Sequence, residues 1–225
     1  MVIGMFAFIA FSSTDPSTKL PVMLWIHGGG NNLGSARFYQ GHNIAADQQV
    51  IFVSLNYRLG QLGSLTHRAI RNTATNPEDA SGNYGLLDII AALRWVQANI
   101  HTFGGDADNV TVFGESAGGR NIFGLLASPL AKGLFHKAIA QSGYTISNSL
   151  KNAYNFKAAN SDVTKGSWQV VEDLLVKQQG SSQQSSSTEQ LRRLLKYVDA
   201  REFIGLYSRG DKIDYIPLTT ADGIV

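Results

Sequence analysis

Cysteine is absent from the 225 residues. Its absence excludes disulfides, thiolate metal sites and a cysteine nucleophile. It leaves the compartment open, cytoplasmic or secreted or periplasmic. Charge of one sign is nowhere concentrated. The formal net charge is +2, and without a basic block no nucleic-acid partner is expected. Long apolar runs are missing too. Met1 to Phe11, MVIGMFAFIAF, is too short to be a transmembrane helix and lacks the basic start of a signal peptide. A buried β-strand is the expected structure there, with a cleaved signal as the alternative. Asp15, Asp79, Asp88, Asp106 and Asp108 have no His or Cys partner at metal-ligand spacing, so no metal site is expected. The glycines of GESAGG flank a serine and do not follow G-x-G-x-x-G. A phosphate loop or dinucleotide cofactor is therefore not expected. Asn109-Val110-Thr111 fits a glycosylation acceptor but sits where a core strand begins.

What is present describes a folded core. Hydrophobic residues make up 44% of the chain and the mean hydropathy is −0.07, which places it in the soluble globular class. Pro21 to Ile26 and Val50 to Asn56 read as short strands, with Lys137 to Gln141 a third candidate, each nearly continuous in apolar residues. Ser12 to Lys19 reads as a polar turn, and Asn31 to Asp47 as a loop that drifts into a short helix. Tyr57 to Ser81 reads as long and irregular. From Gly85 to His101, apolar residues recur at spacings of three and four and predict an amphipathic helix. Gly104-Gly105-Asp106 ends it. Strands alternating with helices imply an α/β fold with a mostly parallel sheet flanked by helices. One domain, 1–225, is expected, with 145–225 as a helical layer of that domain. Trp168 to Val176 reads as helical there, and GSSQQSSS as a loop. Ser186 with Glu189, and Asp199 with Glu202, have the spacing of capping boxes.

The chemistry centres on Asn109 to Leu126, NVTVFGESAGGRNIFGLL. A β-favouring run leads into Gly114-Glu115-Ser116-Ala117-Gly118 and then a helical run, the strand–turn–helix setting of a nucleophile elbow. Ser116 is the candidate nucleophile. Gly114 and Gly118 are the structural residues of the elbow, since neither has a Cβ to keep strand and helix apart. The alternative is a glycine-rich turn with an idle serine. A serine nucleophile needs a base, an orienting acid and donors aimed at the oxyanion. His27-Gly28-Gly29-Gly30 follows a buried strand and is of the H-G-G-G type. Donors are assigned to Gly29, Gly30 and Ala117.

PVMLWIHGGG, VSLNYRLGQLG, the long block from GNYGLLD to FGESAGG, and SPLAKGLFHKAIAQSG together resemble the type-B carboxylesterases. This is the cholinesterase-like branch of the α/β-hydrolases. The resemblance covers about Lys19 to Tyr144 and continues more weakly to Val225. It implies an α/β-hydrolase fold, truncated at its C-terminal side. It implies hydrolysis of a small-molecule ester through an acyl-serine at Ser116, with Gly29, Gly30 and Ala117 as oxyanion hole. His27, Gly28 and Glu115 would line the substrate pocket, with a buried, backbone-satisfied carboxylate as the alternative for Glu115. Ser142 matches a family serine of a buried polar network, or caps a strand.

The family order places an acid and then a histidine far downstream of the serine, yet no histidine follows His136. The chain is therefore expected to be a partial product holding the nucleophile and oxyanion half of the site. A catalytically incomplete fragment or a non-enzymatic interaction protein of the same fold is the alternative. His27 as a makeshift base is a third. His136 is expected to be structural or at the surface, and His42, His67 and His101 to be surface residues. Oligomeric state is left open.

Overall fold

The computed structural model describes residues 8–10, 19–154, 166–209, 212–213, 220–223 and 225. The Ser12 to Lys19 turn, except for Lys19, lies outside them. In chain order the first elements are β1 (Phe8–Ala10), β2 (Leu20–Ile26), α1 (His42–Gln48) and β3 (Ile51–Leu55). The short helices α2 (Gly60–Ser64), α3 (Arg68–Arg71) and α4 (Pro77–Ser81) follow, then α5 (Tyr84–Asn99), β4 (Gly105–Glu115), α6 (Ala117–Ala127) and β5 (Lys137–Gln141). The last third holds β6 (Asn148–Ser149), α7 (Leu150–Tyr154), α8 (Ser167–Gln179), α9 (Thr188–Tyr197) and α10 (Ala200–Tyr207). It ends with β7 (Ser208–Arg209), β8 (Lys212–Ile213) and β9 (Thr220–Ala221). Two compact units emerge: Met1–Arg58 with Gly85–Thr145, and Leu59–Tyr84 with Ile146–Val225.

The first unit is built on a sheet of order β1-β3-β2-β4-β5. β2 pairs in parallel with β3 on one side and β4 on the other, and β4 pairs in parallel with β5. β1 alone is antiparallel, against β3 at the edge, so the sheet is mostly parallel. All five residues of β3 are buried, and β2 alternates buried with half-buried positions. These are the near-continuous apolar strands that a sheet covered on both faces demands. The α5 periodicity is real: Leu86, Ile89, Ile90, Leu93 and Val96 are buried. α5 runs into a 3₁₀ turn, Ile100–Phe103, stopped by Gly104 at φ +78. β4 then starts at once, at Gly105, before the apolar run at Val110. After β3, Arg58 is clamped to α5. Its guanidinium makes a two-pronged contact with the Asp88 carboxylate at 2.8 Å per bond. Such forks fix orientation as well as distance.

β5 lies at the far edge of the sheet among the described residues, and all five of its residues are exposed. Ile139 there is 46% exposed, which leaves an apolar strand with a free hydrogen-bonding edge.

The second unit has its own core. Leu65 and Ala69, with Val170, Val171, Leu174 and Leu175 of α8, Leu191 of α9 and Phe203 of α10, form one buried cluster. The stretch expected to be irregular holds three short helices, α2 to α4. His67, expected at the surface, is fully buried. Local sequence shows a polar residue near a helix start and cannot show the partner. His67 Nδ1 caps α3 by accepting from the Ala69 N–H at 3.2 Å. Its Nε2 therefore carries the proton and donates to Gln183 Oε1 at 2.8 Å. The capping box of α9 uses Ser187 and Gln190, one residue later than expected. Asp199 accepts from the Arg201 N–H, and the Arg201 guanidinium holds its carboxyl down at about 2. Glu202 does not close a box with Asp199 and pairs instead with Lys177 of α8. No helix among the described residues is long and apolar enough to cross a membrane.

Burial holds His67 and His27 below the ordinary imidazole pKa, as desolvation of the cation outweighs their hydrogen bonds. The unfolded chain therefore takes up protons at a higher pH than the folded one. Stability should be full above the ordinary value, about 6.5, and fall as pH drops below it. Thermal midpoints from pH 8 to 5 should show that slope, and His67→Gln should flatten it while lowering the midpoint at pH 8. The exposed edge should promote self-association, and Ile139→Lys should reduce it in sedimentation velocity runs across a concentration series.

Candidate active site

The site is assembled where β2 and β4 end side by side, with Ile26 registered against Gly114. Beyond Gly114 and Glu115 the chain turns sharply into α6. Ser116 makes that turn with φ +55 and ψ −116, and it is one of few non-glycine residues with positive φ. A non-glycine residue in so sparsely populated a backbone region costs about 1–3 kcal/mol, so the surroundings must hold it. The Ser116 N–H donates to the Gln141 carbonyl at the end of β5, 2.9 Å away. On the other side, the Ser116 carbonyl accepts from the Arg120 N–H and starts α6.

The elbow packs too tightly for side chains. A Cβ at Gly118 would lie 2.0 Å from the Ile26 carbonyl oxygen. One at Gly114 would lie 2.6 Å from the same oxygen and 2.9 Å from the Gly118 backbone. Farther along α6, Gly119 meets Gly143 just past β5 with similar closeness. Ser116 is half-buried and its side chain makes no capping bond to α6. It stands at the helix N-terminus, where the first N–H groups have no intrahelical partner and the macrodipole is positive. Ala117 supplies the first of them and is 2% exposed.

The His27–Gly30 loop leaves β2 beside this elbow. A Cβ at Gly28 would lie 3.3 Å from Ser116 Cβ, 2.9 Å from the Glu115 carbonyl and 3.1 Å from Glu115 Oε2. Gly28 therefore lies directly against the elbow. Glu115 is exposed, which removes the alternative of a buried, backbone-satisfied carboxylate. Gly29, Gly30 and Asn31 follow with φ of +103, +64 and +58. The turn closes on itself, as the N–H groups of Asn32 and Leu33 both donate to the Gly29 carbonyl at 3.0 Å.

His27 is 1% exposed. Its ring stacks on Tyr57 with centroids 4.5 Å apart, and its Nδ1 donates to the Gly28 carbonyl at 2.8 Å. Nε2 has no partner among the described residues, so the ring is not bonded to Ser116. The remaining histidines stand elsewhere. His67 is engaged as above in the second unit. His136 Nδ1 accepts from the Val110 N–H at 3.1 Å, and His42 and His101 are exposed. Ser142, just past β5, is exposed, with φ +50.

Three residues absent from the sequence reading join the two loops. The Asn31 and Asn121 carboxamides exchange hydrogen bonds of 3.2 and 3.0 Å. The Tyr57 hydroxyl donates to the His27 carbonyl at 2.7 Å and lies 3.1 Å from Asn31 Oδ1. Burial pushes the Tyr57 phenol far above its ordinary pKa, although the Arg120 charge pulls the other way. Buried beside Asn121, Arg120 donates to the Tyr144 hydroxyl at 2.8 Å. No sequence signal linked Asn31 to Asn121, since ninety positions separate them.

A family model, the Carboxylesterase family, matches residues 8–218. The para-nitrobenzyl esterase of Bacillus subtilis is 53% identical over 151 residues, covering 66% of this chain and 30% of that protein. Liver carboxylesterase 1 of Oryctolagus cuniculus is 50% identical over 132 residues, covering 59% of this chain and 22% of that protein. A solved structure of PNB esterase superposes with a TM-score of 0.73 at 36% identity, over 97% of this chain and 43% of the other. The α/β-hydrolase architecture of that structure is the one seen here. The chain spans less than a third of either curated relative.

Crowding at the elbow makes a direct expectation. Gly118→Ala puts a methyl group into the Ile26 carbonyl and should cost ~1–3 kcal/mol, the usual range for overpacking. Gly133→Ala has open space at φ +78 and should cost about 1 kcal/mol from backbone strain alone. Urea midpoints of the two variants should separate in that order.

Proposed function

This chain belongs to the carboxylesterase family, and from that premise we propose that it carries the nucleophile and oxyanion half of a serine esterase site. Ser116 Oγ attacks the carbonyl carbon of a small-molecule ester. A base takes its proton and returns it to the departing alcohol. The tetrahedral oxyanion sits on the N–H groups of Gly29, Gly30 and Ala117, and water later releases the acid from the acyl-serine. The observation that carries this reading is the strained Ser116 at the N-terminus of α6 with Gly28 of the glycine loop directly against it. The two groups supporting the reading act in one direction. Backbone donors and a helix terminus both favour negative charge at one place. One such donor contributes about 3–4 kcal/mol to the transition state. Glu115, exposed beside Gly28, would face the substrate.

Among the described residues no histidine hydrogen-bonds Ser116. In a protein of the relatives' length, the base and its acid would come from polypeptide outside these 225 residues. Ser116 should accordingly be acylated slowly by the chain alone. Incubation with a fluorophosphonate probe and with a short-chain p-nitrophenyl ester tests this. Labelling should map to Ser116, and Ser116→Ala should abolish both labelling and ester turnover. Labelling that persists in Ser116→Ala, or none in the unaltered chain, would remove the reading.

A further inference from the structure

Asn31 is the first residue after three glycines to carry a side chain. We propose that its amide pair with Asn121 is the positioning device that holds the Gly29 and Gly30 amides in register with that of Ala117. The inference rests on the reading of Ser116 and its donors given above.

The donors come from two separate pieces of chain. Two belong to the loop after β2 and the third to the first residue of α6. Glycine backbone reaches positive and negative φ about equally, so the triplet selects no single conformation by itself. The hydrogen bonds from Asn32 and Leu33 to the Gly29 carbonyl fold the loop onto itself. They do not tie it to α6. The carboxamide exchange between Asn31 and Asn121 does, at 3.2 and 3.0 Å. Asn121 is 3% exposed and lies in the same helix as Ala117. Its carboxamide is thus held by a rigid element whose first N–H is the third donor.

Residue type suits the place. Asn31 has φ +58, and asparagine enters left-handed backbone more readily than most residues with a side chain. Tyr57 braces the pair from the end of β3. Its hydroxyl spans the His27 carbonyl and Asn31 Oδ1, and burial keeps its proton on at any working pH. Three neighbouring segments, the ends of β2 and β3 and the first turns of α6, thereby meet through two carboxamides and one phenol. A displacement of about 1 Å in such a donor set can cost up to a hundredfold in rate.

The test compares the unaltered chain with Asn31→Gly, Asn121→Ala and the double variant. Glycine keeps the positive φ and removes only the side chain. Four quantities are read. They are the maximal rate and the half-saturating concentration of fluorophosphonate labelling at Ser116, the thermal midpoint, and deuterium uptake by the 28–33 segment. Each single variant should lower the maximal labelling rate about tenfold and leave the half-saturating concentration unchanged. The double variant should be no slower than the slower single, because the pair acts as a unit. Uptake at 28–33 should rise in all three while the sheet strands keep their protection. Rates equal to those of the unaltered chain would overturn the proposal, as would losses that multiply in the double variant. If the unaltered chain takes no label, the esterase reading fails and uptake alone decides the clamp. Unchanged uptake at 28–33 in Asn121→Ala would then overturn it.

Discussion

The approach of three backbones at the end of the sheet governs everything else at this site. Ile26, Gly114 and Gly118 meet with carbonyl and Cα atoms where side chains would otherwise stand. That contact brings α6 down onto the strand ends, and the descent forces Ser116 through left-handed backbone. Remove the contact and the helix lifts, the serine relaxes, and the glycine loop loses its neighbour. The apolar core beneath, from Val22, Leu24 and Val112 to Ile122 and Leu125, supplies the packing that holds these backbones together.

What could be read from the chain follows the range of the forces involved. β3 and β5 were legible nearly to the residue, because apolar runs and their bounding turns are local. The elbow was legible because a strand, five residues and a helix are contiguous. The loop's nearness to the elbow was expected from the pairing of the H-G-G-G motif with the G-x-S-x-G motif. His67 was misread for the opposite reason. Its partner Gln183 lies over a hundred residues away, and nothing beside His67 announces it. The beginning of β4 at Gly105 was hidden for another reason. Gly105 is buried, Asp106 to Asn109 are half-exposed or exposed and hold no apolar run, and the Leu20 N–H bonds the Gly104 carbonyl just ahead of them.

The amide pair of Asn31 and Asn121 belongs to a third kind. Each residue has a sufficient local explanation, a loop asparagine and a polar residue in a helix. Only the three-dimensional arrangement makes them one object. Tyr57 is similar: it opens a stretch expected to be irregular, and its hydroxyl proves to bridge a main-chain carbonyl and a side chain. Polar groups buried near a reacting centre are costly unless satisfied, and the two carboxamides and the phenol satisfy one another here, whereas His27 Nε2 has no partner among the described residues.

The bond from the Ser116 amide to the Gln141 carbonyl has a mechanical meaning. A residue held at positive φ is moored to an exposed edge strand, so breathing at that rim reaches the turn through one hydrogen bond. Covering β5, by whatever means, would damp the fluctuation of Ser116 without touching it.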